Sequence, residues 1–117
     1  MGAIDVVNAI LDAFRAGTSR TALFADGFRV EGPGLGAPLL AFAMPGAAAG
    51  ELDQRGMRIS VEQVLPSKGD HVLVWGMWSG GDHDDATYHV VLEVQDGRVV
   101  ETRFFDELEQ ARWFAGL

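Results

Sequence analysis

The chain has 117 residues, 48% of them hydrophobic and 22% charged, enough for one domain over 1–117 with its own core and too few for two. Its net charge of −8, nine Lys and Arg scattered among seventeen Asp and Glu, excludes the clustered basic surface that nucleic acid or an anionic membrane requires. The absence of cysteine excludes disulfides, thiolate nucleophiles and cysteine metal sites. No apolar run is long enough to span a bilayer, since Leu35 to Gly50 is interrupted by Pro38 and Pro45. The first residues carry neither a signal-peptide nor a myristoylation pattern, so a cytoplasmic protein is expected.

Ile4, Val7, Ile10, Leu11 and Phe14 recur at helical spacing, and Gly17 ends that amphipathic helix. Thr18 or Ser19 is expected to cap a second, short helix ending near Ala25. Asp26-Gly27 signals a turn, Phe28 to Glu31 a short strand, and Gly32-Pro33-Gly34 its end. Residues 35–56 are the least legible: Leu39 to Met44 suits a short strand, and Pro45 the first turn of an Ala-rich helix running to about Arg55. Strands follow at 57–65, 71–79, 86–95 and 98–105, with Asp96-Gly97 the strongest hairpin signal. Asp106, with Glu109 three residues on, reads as the capping box of a final helix. Helices first and a strand meander after predict an α+β fold, a curved antiparallel sheet with the N-terminal helices on one face and a short C-terminal helix.

Alternation assigns the faces. Tyr88, Val90, Leu92 and Val94 share the face expected to meet the helices, while Thr87, His89, Val91 and Glu93 share the other. In 71–79 both faces are apolar, Leu73, Trp75 and Met77 against Val72, Val74 and Trp78. The helices can cover one face, so a homodimer packed sheet against sheet is expected to cover the convex one.

The runs Leu23-Phe24-Ala25-Asp26-Gly27-Phe28-Arg29-Val30-Glu31-Gly32-Pro33 and Asp96-Gly97-Arg98-Val99-Val100-Glu101-Thr102-Arg103-Phe104-Phe105-Asp106 resemble the helix-to-strand junction and closing hairpin of SnoaL-like domains in the nuclear transport factor 2-like superfamily. The resemblance covers nearly the whole chain and implies a cone-shaped half-barrel, a pocket between its concave sheet and the helices, and usually a dimer. It extends to isomerases, cyclases, dehydratases and non-catalytic domains, so fold does not settle function. Against the ketosteroid isomerase pattern of an Asp base with a Tyr and a protonated Asp, this chain has Gly32, Ile10 and Val90 (or His89) at the corresponding places. Steroid isomerisation by that mechanism is rejected.

Two readings follow. The first is a ligand-binding homodimer whose mainly apolar pocket takes a hydrophobic small molecule between Trp75, Met77, Tyr88, Val90, Thr102 and Phe104, closed by Phe14. The second is an isomerase, cyclase or dehydratase in which Tyr88 or His89 moves a proton. Alternation places His89 toward the convex face, one residue of register deciding the matter. Glu31 reads as a solvated edge residue or a displaced base at the pocket mouth. Asp82-His83-Asp84-Asp85 is a solvated turn rather than a metal cluster, its ligands being consecutive. Gly32-Pro33-Gly34-Leu35-Gly36 lacks the third glycine and the βαβ setting of a dinucleotide loop, so no cofactor is expected.

Overall fold

The structure, a computed structural model, describes residues 2–47, 49–67 and 69–117. Its elements are α1 (Ala3–Arg15), a 3₁₀ turn (Thr21–Leu23), β1 (Phe24–Glu31), α2 (Gly36–Ala43), α3 (Ala49–Gln54), β2 (Arg58–Pro66), β3 (His71–Gly80), β4 (His83–Gln95), β5 (Arg98–Phe105) and α4 (Leu108–Ala115). The sheet order is β1-β5-β4-β3-β2. Among the described residues, no helix is long and apolar enough to cross a membrane.

The stripe Val6, Val7, Ile10, Leu11 and Phe14 makes α1 a helix with one buried side. Its end is a Schellman motif, in which Thr18 N–H donates to the Ala13 carbonyl at 2.9 Å and Gly17 N–H to that of Phe14 at 3.1 Å. The expected second helix shrinks to the 3₁₀ turn, because the chain is already extended at Phe24, which is buried and pairs with Val99. Asp26-Gly27 is accordingly an irregularity inside β1 rather than a turn before it.

Two further expectations are corrected. Leu39 to Met44, read as a strand, falls mostly within α2. A short apolar run has no decisive period, but this one holds Leu, Ala and Phe with no β-branched residue, and Pro38 is tolerated in a first helical turn. The final helix has Glu107, not Asp106, at its N-cap, with no side-chain cap, so the Asp106–Glu109 capping box is not formed.

Strands β2 to β5 form the expected antiparallel meander. Edge strand β1 instead runs parallel to β5, making the sheet mixed. No hairpin turn joins β1 to β5, so nothing local forces the antiparallel sense.

Helices α1, α2 and α3 pack on one sheet face, over Val72, Val74, Trp78, Tyr88, Val90, Leu92 and Phe104. The opposite face carries a cover of its own: α4 lies across it, and Leu73 and Val91 are fully buried in one cluster with Ala111 and Ala115. Arg103 fastens this layer, its guanidinium 4.7 Å from the centre of the Phe114 ring and its Nε 3.0 Å from Glu101 Oε1. Glu101, buried in the sheet, also accepts from Arg29 Nε at 3.1 Å.

The Arg103 hydrogen bond is the main reason why the Glu101 carboxyl is held below its ordinary value of 4.5, with Arg29 adding to it and burial opposing both. A carboxylate lowered on folding stabilises the fold above its unfolded value, and that stability fades as pH falls through the folded one. Glu101→Gln should therefore lower the melting temperature at pH 7, and the gap from wild type should be smaller at pH 3 than at pH 7. Melts that differ equally at both pH values would show that charge is not the cause.

Candidate functional site

Between α1, α2, α3 and β2 opens a cleft of about 530 Å³. Its floor and walls are apolar: Leu11 and Phe14 from α1, Ala41 and Phe42 from α2, Ala49 and Leu52 from α3, and Met57, Ile59 and Val61 at or beside β2. The polar groups are Arg15, Asp53, Arg58 and Ser60. A volume of this size with few polar groups is the usual composition of a small-molecule site.

The helical wall of this cleft is held by Arg20, whose side chain is wholly buried. Its Nη2 donates to the Leu40 and Met44 carbonyls at 3.1 and 2.8 Å, and its Nη1 to that of Ala47. The guanidinium also lies 4.8 Å from the centre of the cleft-lining Phe14 ring. One cation thus satisfies carbonyls at the C-terminus of α2 and in the link to α3, where a helix leaves acceptors without internal donors. Burial lowers the Arg20 pKa, while the charge of Glu51 raises it. Thr102 makes the second tie, its Oγ1 donating to the Phe42 carbonyl at 2.9 Å.

Of the residues singled out from the sequence, Phe14 alone lines the cleft. Thr102 is on the expected face, but its hydroxyl is engaged by α2. Val90 is fully buried in the core beneath the helices. Phe104 is buried too, and it borders a smaller cavity of about 170 Å³ with Pro33, Leu35, Trp78 and Asp106. Trp75 and Met77 stand on the outer face: β3 pairs Trp75 with His89 and Met77 with Thr87, away from the helices. Since β3 is apolar on both sides, alternation within it offers no means of choosing. Exposed Glu31 on edge strand β1 pairs across with Arg103 and does not line the cleft.

Tyr88 lies on the helix side, its ring 5.9 Å from that of Phe42. Its hydroxyl crosses β3 over Gly76 and donates to the Ser60 carbonyl of β2 at 2.9 Å. Burial pushes that phenol well above its ordinary value, so at neutral pH it is a fixed donor rather than a base. His89 is buried on the other face, with Nδ1 3.3 Å from the Phe105 carbonyl, at the edge of the smaller cavity.

The positions matching the ketosteroid isomerase pattern offer no chemistry. Ile10 and Val90 are fully buried core residues. Gly32 has φ +86°, and a Cβ there would stand 2.1 Å from the Phe104 carbonyl oxygen, so that place cannot carry a side chain without the strand end moving. The sequence reading missed Arg20, Leu52 and Ile59. Arg20 lies between Ser19 and Thr21 with no periodic signal, whereas Ile59 follows from β2 once its inward face is known.

No family model and no curated protein matches the sequence. Solved structures do match. A Xanthomonas campestris protein of unknown function with a cystatin-like fold is 23% identical, with 97% of this chain and 98% of that one covered and a TM-score of 0.64. A nuclear transport factor 2-like protein of Burkholderia thailandensis is 19% identical over 95% of this chain and 97% of that one, TM-score 0.64. A candidate SnoaL-like polyketide cyclase from Jannaschia is 17% identical over 98% of this chain and 92% of that one, TM-score 0.58.

Proposed function

We propose that this chain, which has the α+β fold shared by nuclear transport factor 2-like and SnoaL-like structures, binds an apolar small molecule in the cleft between α1, α2, α3 and β2. The observation that carries the reading is the cleft itself, about 530 Å³ walled by Phe14, Phe42, Leu52 and Ile59. The ligand site thus lies nearer β2 than the sequence expectation placed it. The proposal includes a cytoplasmic setting and a homodimer through the outer sheet face. Support for the dimer is now narrower, since α4 occupies part of that face; it rests on Trp113, 83% exposed beside Phe105 and Phe114.

Titration with N-phenyl-1-naphthylamine, a neutral fluorescent probe, tests the cleft. Saturable binding is expected, and Ala49→Trp, which places an indole in the cleft, should weaken it by at least about tenfold. Binding that survives Ala49→Trp and disappears in Trp113→Ser would put the probe on α4 and refute the reading.

A second reading, an isomerase, cyclase or dehydratase, has one observation in its favour. If His89 Nδ1 donates to the Phe105 carbonyl, Nε2 is left as an acceptor beside the smaller cavity that Asp106 also borders. In that reading the base is His89, because Tyr88 is already committed to Ser60.

A further inference from the structure

The polar groups of the large cleft are unevenly charged. Arg15 and Arg58 line it against a single carboxylate, Asp53, in a chain whose net charge is −8. The local sign is therefore opposite to that of the molecule. Neither arginine is neutralised by a close partner. Arg15 Nη1 is 4.0 Å from Asp12 Oδ1, and both side chains are largely exposed, a geometry that contributes little in water. Arg58 is exposed and forms no ion pair among the described residues.

Three other arginines are committed elsewhere in the fold. Arg29 and Arg103 hold Glu101, and Arg20 is buried against backbone carbonyls. Arg15 and Arg58 come from separate elements, the last turn of α1 and the first residue of β2, and the cleft is the feature they share. Their aliphatic stems can extend the apolar wall while the guanidinium heads stay in water. A molecule with an apolar body among Phe14, Phe42, Leu52 and Ile59 would reach these heads with any acidic group at its outer end.

We propose that the cleft selects amphipathic anions, an apolar body ending in a carboxylate, sulfonate or acidic phenol, through Arg15 and Arg58. The inference rests on the reading of this cleft as a ligand site and adds the chemical class of its ligand. Long-range repulsion from the acidic surface slows the approach of such a ligand, and salt at about 0.1 M screens it beyond about 10 Å. Short-range attraction at the two guanidiniums decides the affinity.

The test uses two probes with one skeleton. 8-Anilino-1-naphthalenesulfonate is N-phenyl-1-naphthylamine with a sulfonate added. The sulfonate probe should bind the wild-type chain more tightly than the neutral one. Arg15→Gln and Arg58→Gln should each weaken it about three- to fivefold, and the double variant about tenfold, well beyond any change in the neutral probe, which meets only the arginine stems. Both substitutions are at exposed positions. Thermal melts of the variants that match wild type separate a loss of binding from a loss of fold.

Equal affinity for the two probes, or arginine variants that leave the sulfonate probe unchanged, would overturn the anion preference while leaving the cleft as an apolar site. Sulfonate binding that persists in Ala49→Trp would overturn it as well, by placing the anion elsewhere. Failure of both probes to bind the wild-type chain would remove the ligand-site reading and this inference together.

Discussion

Replacing Arg20 with methionine should lower the stability of the fold by about 2–4 kcal/mol, as read from urea denaturation. Methionine keeps much of the buried stem but donates to nothing, so the carbonyls of Leu40, Met44 and Ala47 lose their shared partner. Each buried acceptor left unpaired costs about 1–3 kcal/mol. Part of that loss is offset, because the variant also removes a buried charge and an Nε that has no partner among the described residues. The contact with the Phe14 ring is lost too.

Arg20→Lys separates charge from shape. An ammonium is a point donor and cannot span three carbonyls from one planar group, so this variant should fall between methionine and wild type. The consequence should reach the cleft, because the same carbonyls fix the end of α2 and its link to α3. N-Phenyl-1-naphthylamine should bind Arg20→Met more weakly, even at temperatures where the variant is folded. A loss of stability under about 1 kcal/mol would mean that the wall is held by apolar packing alone.

Gly76→Ala is the second large effect, expected at about 3 kcal/mol or more. A Cβ at this position would stand 1.9 Å from the Ser60 carbonyl oxygen and 3.1 Å from the Tyr88 hydroxyl. The carbonyl belongs to backbone and cannot rotate away, so β2 must separate from β3, which also disturbs the Tyr88 hydroxyl bonded to that carbonyl. Gly76 pairs with Tyr88 on one side and with Val61 on the other. It is therefore the gap through which a β4 side chain reaches the backbone of β2, beside the register shift between Val61 and Gln63. Tyr88→Phe removes only the hydroxyl and should lower stability by about 1 kcal/mol. Thermal melts that place Gly76→Ala no lower than Tyr88→Phe would show that the two strands are farther apart than described.

What was legible in the sequence was whatever a period or a turn dipeptide encodes. The α1 stripe, Asp96-Gly97 between two alternating runs and the placing of Tyr88, Val90, Thr102 and Phe104 toward the helices all follow from single-element patterns. Three features lay beyond that reach. In β3 both faces are apolar, so only the pairing of Trp75 with His89 tells which side faces the helices, and Trp75 and Met77 are on the other. Leu39 to Met44 has no decisive period, and misreading it hid α2, one wall of the cleft. The sense of β1 depends on a long-range pairing with β5 that no turn encodes. Arg20 is the fullest case: its burial comes from carbonyls 20 to 27 residues away, and nothing near it in the chain announces them.

The most direct test of the ligand-site claim is a crystal structure of protein purified without added ligand, inspected for density between helices and sheet. Density among Phe14, Phe42, Leu52 and Ile59, with an acidic end toward Arg15 and Arg58, is the predicted result. A closed cleft filled by its own side chains, or density confined to the smaller cavity beside His89, would contradict it.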